Sequence, residues 1–237
     1  MADDTLPRRN FLLGAGTALA AGLAPLAPHD SQAGEQSTPA AAAPAEPEPL
    51  LALSATEAAF VSAAADTMIP ADELSPSGTD CGVVTYIDRQ LAGSYGAGAK
   101  MYRSGPFRRG KPEQGYQLTL TPRQYFATGI AAANEWARKT YGKEFDRLAP
   151  PERGAALSAM EHGTAEFENF SARAFFVRLH AMVMEGFFSD PMYVGNRNKV
   201  SWVMLGFPGL PATYADKVDA YFNKRYAAPP KSIADFS

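Results

Sequence analysis

Two four-residue signals, Ser54-Ala-Thr-Glu57 and Thr121-Pro-Arg-Gln124, constrain the fold of this chain more than any other feature. In each, a hydroxyl at the first position accepts from an early amide, and the Glu or Gln three residues on reaches back to the first amide. This reciprocal capping box opens an α-helix. After Ser54, Phe60, Ala64 and Met68, with Val61 and Ala65 alongside, recur at helical spacing and stop at Pro70, whose ring disfavours helix in the residue before it. After Thr121, proline occupies the first helical position, and two adjacent apolar stripes run to about Tyr141. The stripes, Phe126-Ile130-Ala133-Ala137 and Tyr125-Gly129-Ala132-Trp136, form a face wide enough for the centre of a bundle.

Weaker helical signals fill most of the rest. Val84, Ile87 and Leu91 predict a helix over Gly82 to Ala92, and Leu157 and Met160 mark a short one after Pro150-Pro151. From Ser171 to Phe187 an amphipathic run carries Phe175, Phe176, Leu179, Val183 and Phe187, closed by Asp190-Pro191. Two further helices are predicted near Lys199 to Leu205 and Tyr214 to Tyr226. No alternating β-branched strand of useful length and no internal repeat occur. The expected fold is therefore mainly α, a single irregular helical bundle spanning residues 50–237. Between Gly93 and Leu120 the period vanishes while Tyr95, Tyr102, Phe107 and Tyr116 persist, which predicts a long ordered loop excursion.

The N-terminus belongs to a different class of segment. Arg8-Arg9, followed by Asn10, Phe11 and Leu12 and an apolar stretch to Ala27, has the layout of a twin-arginine export signal, with Ser31-Gln32-Ala33 as a small-x-small cleavage site. Gly14, Gly16, Gly22, Pro25 and Pro28 break the run too often for a stable membrane span. Residues 1–33 thus read as a signal peptide and 34–49, rich in Ala, Pro and Glu, as a flexible linker. That export route carries folded proteins, chiefly those that hold a cofactor or travel with a partner that does. Cleavage after Ala33 leaves a slightly acidic body of about 200 residues, enough for one domain with a sizeable core. Its charge balance suits no nucleic acid.

The inventory of chemistry inside that body is thin. A single cysteine, Cys81, forms no internal disulfide and holds no iron–sulfur cluster. It reads as a small buried side chain, with a bridge to a partner chain as the alternative. Neither His162 nor His180 has a glutamate three residues before it, as a carboxylate-bridged di-metal bundle needs. His180 reads as a hydrogen-bonded core residue and His162 as a C-terminal cap or solvated side chain. Gly14-Ala-Gly16 has no strand before it, and the Gly93 to Lys100 run lacks the Ser or Thr of a phosphate loop. No catalytic, cofactor-binding or metal-binding residue is expected in this chain. By elimination, the exported cofactor belongs to a partner.

Three segments carry a resemblance. Glu185-Gly-Phe-Phe-Ser-Asp-Pro-Met-Tyr-Val-Gly-Asn-Arg-Asn198, continuing through Trp202 to Leu205-Gly-Phe-Pro-Gly209, resembles the small subunit, subunit 3, of membrane-bound gluconate 2-dehydrogenase. Asp66-Thr-Met-Ile-Pro-Ala-Asp72 with Ile87-Asp-Arg-Gln-Leu91, and Gly105-Pro-Phe107 leading to Gln114-Gly-Tyr-Gln117, are similar to it as well. The resemblance runs from about Leu53 to Gly209. It implies an accessory subunit beside a large FAD-bearing catalytic subunit and a multihaem cytochrome c subunit. It also implies twin-arginine export and a place at the periplasmic face of the inner membrane, with flavin and haem c held by the partners. The rival class is an independent periplasmic sugar-binding protein or helical enzyme.

Two surfaces are candidates for meeting a partner. The first is the polar loop at Gly195 to Asn198, where Tyr193, Asn196, Arg197 and Trp202 are interface candidates because aromatic and arginine side chains commonly anchor interfaces. An equal reading makes this loop an internal lock, with Arg197 on helix carbonyls and Trp202 in the core. The second is the excursion, where Tyr102, Phe107 and Tyr116 interleave with Arg103, Arg108, Arg109 and Lys111.

Overall fold

The structure, a computed structural model, describes residues 49–236 other than 109, 112, 113, 115 and 212. Arg8, Arg9, Phe11, Leu12 and Arg109, the signal peptide and all of the linker but Pro49 lie outside the described residues. Among the described residues seven α-helices follow in chain order, and they bear out a mainly α fold. Helix α1 spans Ala55–Met68, α2 Val83–Ala92, α3 Pro122–Tyr141, α4 Pro150–His162, α5 Ala172–Phe188, α6 Val200–Leu205 and α7 Ala215–Val218.

Both capping boxes form. The Ser54 amide donates to Glu57 at 2.7 Å and the Glu57 amide to the Ser54 hydroxyl at 3.3 Å. The Thr121 amide donates to Gln124 at 2.9 Å and the Gln124 amide to Thr121 Oγ1 at 3.3 Å. Helix α4 opens by half of the same device: alanine at position 149 supplies no acceptor, but its amide donates to Glu152 at 2.8 Å. Helices α3 and α4 end at Gly142 and Gly163, both in the left-handed region that glycine adopts without a Cβ clash.

Helix α5 is the hub, packing against α2, α3, α4 and α6. Phe175 on α5 meets Phe60 of α1 at 6.1 Å between ring centroids and Phe126 of α3 at 6.1 Å, while Phe60 and Phe145 lie 4.7 Å apart. These rings are fully buried. The close approach of α3 to α5 rests on Gly129, where an added Cβ would lie 2.2 Å from Phe175 Cδ2.

Two expectations fail. The helix predicted over Tyr214 to Tyr226 shrinks to Ala215–Val218. Val218 and Phe222 are exposed rather than packed, and so short a helix does not persist without a buried face. Turns replace it, with Tyr221 and Tyr226 packed edge to face at 4.8 Å. His180 is not a core residue: it lies on the exposed side of α5, stacked on Phe176 at 5.9 Å. At 100° per residue, position 180 falls just past the edge of the stripe formed by Ala172, Phe175, Leu179, Met182, Val183, Gly186 and Phe187.

Candidate functional site

The loop after α5 is built from backbone that side chains other than glycine rarely adopt. Val194, Asn196, Asn198 and Lys199 all have positive φ, between 44° and 65°. Asn196 holds this path together. Its backbone amide donates to the Gly186 carbonyl at 3.0 Å, and its Nδ2 donates to the Ser189 carbonyl at 2.9 Å. Its Oδ1 accepts from both the amide and the hydroxyl of Ser201, at 3.0 and 2.8 Å. The side chain thereby ties the end of α5 to the start of α6, and only 1% of Asn196 is exposed.

Arg197 and Trp202 complete the lock. The Arg197 amide donates to the Cys81 carbonyl at 3.0 Å, and its guanidinium reaches the Thr85 hydroxyl at 3.4 Å, lying across Gly82. Gly82, at φ +85°, is required there: a Cβ would sit 2.5 Å from the Val194 carbonyl oxygen. Trp202 Nε1 donates to the Phe188 carbonyl at 3.0 Å, and its ring packs edge to face on Phe207 at 5.2 Å. The sequence left this loop open between interface and lock. The structure places Asn196 and Trp202 inside, which corrects their reading as surface contacts, and it lays Arg197 across Gly82 with its guanidinium on the Thr85 hydroxyl. Tyr193, 48% exposed, is the interface candidate that stays at the surface here. Met192, Val203, Leu205 and Phe207 are exposed nearby in sequence.

The excursion is a different kind of surface. Tyr95, Tyr102, Phe107 and Tyr116 converge on one pocket of about 590 Å³, with Arg178 of α5 and Lys100 in its lining. Tyr102 is 77% exposed at its rim. Tyr116 forms the wall nearest the core: its ring stacks on Tyr125 at 4.2 Å and 16°, and Tyr125 packs on Phe170 at 4.8 Å. Burial pushes the Tyr125 hydroxyl up to about 12, so it stays protonated at any ordinary pH. Arg178 lies over the Tyr116 ring at 5.7 Å, and burial raises the Tyr95 pKa against the opposing pull of the Arg178 charge.

Two residues that the sequence reading passed over matter to these sites. Asp88, within the Ile87 to Leu91 motif, is fully buried and accepts the amides of Leu51, Ala52 and Leu53, each at 2.9 Å. Arg89 pairs with it at 2.5 Å and also donates to the Pro49 carbonyl at 3.1 Å. Burial raises the Asp88 pKa, but the three amides and Arg89 outweigh it and hold the carboxyl below the usual carboxylate range. Asp88 is the anchor of the strand of backbone that enters the bundle. Arg178 was the other omission, since it reads in sequence as an ordinary solvated position on α5.

His162 Nδ1 donates to the Ser158 carbonyl at 2.8 Å, at the C-terminal end of α4. Cys81 is buried, its thiol 3.6 Å from the Pro76 carbonyl oxygen. Among the described residues no group of three His, Cys, Asp or Glu side chains is placed to hold a metal ion. None of the described helices is long and apolar enough to cross a membrane.

A family model described as gluconate 2-dehydrogenase subunit 3 matches residues 55–209, from the first residue of α1 to Gly209, shortly after α6. No curated protein and no solved structure matches the chain.

Proposed function

The chain belongs to the gluconate 2-dehydrogenase subunit 3 family, and from that premise we propose that it is a non-catalytic accessory subunit of a periplasmic flavin-dependent dehydrogenase acting on gluconate or a related sugar acid. Its work is to support maturation of the FAD-bearing catalytic subunit and to carry that subunit through the twin-arginine export machinery. A multihaem cytochrome c subunit completes the complex at the periplasmic face of the inner membrane.

The observation that carries this reading is the family match across α1 to α6. Arg8-Arg9 ahead of an apolar run supports the export part, because one signal serves a folded pair when only one member bears it. For a carrier, the junction between linker and bundle transmits the pull of export. The buried Asp88 and its three amide donors supply a firm attachment at that junction.

The test is co-purification from the native host. Affinity capture of the tagged full chain is expected to bring down a flavin-containing protein and sugar-acid dehydrogenase activity. Capture of the chain alone, with turnover or a bound chromophore of its own, would overturn the accessory role.

A further inference from the structure

Resting on the accessory role above, we propose that the pocket between the 93–120 excursion and α5 is the docking site for an acidic, extended segment of the flavin-bearing catalytic subunit. The first argument is charge. Lys100 and Arg178 line the pocket, and its described lining residues include no carboxylate, although Glu185 of α5 acts electrostatically on Arg178 and Tyr95 from outside that lining. Arg103, Arg108 and Lys111 are exposed in the same excursion, although the whole chain carries a formal charge of −3. The cations are thus concentrated at one place on an acidic protein, which favours and steers an acidic partner.

The second argument is shape and chemistry. A volume of about 590 Å³ falls within the range of small binding clefts and holds a few residues of peptide. Tyr102, Phe107 and Leu118 present apolar surface there that the described residues leave uncovered. Those faces suit apolar or proline side chains, and the flat Arg178 fork suits a carboxylate. Gln114 Oε1 accepts from the Lys111 amide at 2.7 Å, and Gln117 Nε2 donates to the Gln114 carbonyl at 3.2 Å. The Gln114 amide nitrogen and the Gln117 amide oxygen are the remaining donor and acceptor, the pair an extended backbone needs.

The third argument is rigidity. Tyr116 is stacked onto the buried Tyr125, and Arg178 lies over the Tyr116 ring, so this wall of the pocket is formed before anything binds. Preorganisation of this kind lowers the ordering cost of association.

The experiment places a photo-crosslinking amino acid at position 102, in place of the rim residue Tyr102, in the full chain expressed with its partner subunits. The expected product is a crosslink to a catalytic-subunit peptide with Asp or Glu within about four residues of the linked atom. Lys100→Glu is expected to lower the yield of co-purified flavoprotein about tenfold, while circular dichroism and the melting transition stay unchanged. Wild-type chain that captures no flavoprotein overturns the accessory role itself. Wild-type chain that captures it, with the position-102 crosslink absent, internal, or on a peptide free of carboxylates, overturns the docking assignment alone. So does full retention of flavoprotein by Lys100→Glu.

Discussion

At the scale of single residues, the side chains that hold this protein together are buried polar groups satisfied by distant backbone. Asp88→Ala removes the acceptor of three amides and is expected to cost about 2–4 kcal/mol in chemical denaturation, because those donors are then buried without partners. The pH dependence has a definite sign. The folded carboxyl titrates below its unfolded value, so the stability it confers is present above the unfolded pKa, near 4, and is lost as pH falls through the depressed folded value. The stability gap between wild type and Asp88→Asn is therefore expected to be full at pH 6 and to close progressively below about pH 4. Asn196→Ala is expected to cost about 3 kcal/mol, since it orphans the buried Ser201 hydroxyl and amide and leaves alanine at φ +44°. A gap that widens on acidification, or an Asn196→Ala protein as stable as wild type, would contradict these assignments.

At the scale of elements, α1 to α6 were legible because their start and stop signals are local. Ser54 with Glu57 and Thr121 with Gln124 each bond within three residues, and Gly142 and Gly163 end helices by their own backbone conformation. What was not legible depends on contacts between remote positions. Asp88 meets the amides of residues 35 to 37 positions away, and Arg197 reaches Thr85 across 112 positions. Arg178 looks solvated until the excursion brings the Tyr116 ring against it. The Tyr214 to Tyr226 helix failed for the converse reason, since its periodic residues find no surface to cover. Two glycine substitutions separate packing from propensity. Gly129→Ala is expected to lower the melting temperature by roughly 4–8 °C, because the new methyl lies 2.2 Å from the Phe175 ring. Gly154→Ala in α4, where a Cβ meets nothing within 4 Å, is expected to raise stability by about 0.5–1 kcal/mol. Equal effects of the two would show that α3 and α5 do not approach as described.

At the scale of the whole molecule, the residues that the family model matches include both the side chains that lock the body and those that face outward. Asn196, Arg197, Trp202 and Asp88 lie within the residues the family model matches, and their side chains bond within the body itself. Tyr193 and the rim of the excursion pocket remain outward. A carrier needs both properties: a body that keeps its shape under load, and a face that another subunit can grip. The most direct test of the carrier role is the location of the flavoprotein in cells carrying Arg8→Lys with Arg9→Lys. The expected result is flavoprotein and its dehydrogenase activity retained in the cytoplasm, with the complex still recoverable by affinity capture. Undiminished periplasmic activity in that strain would contradict it.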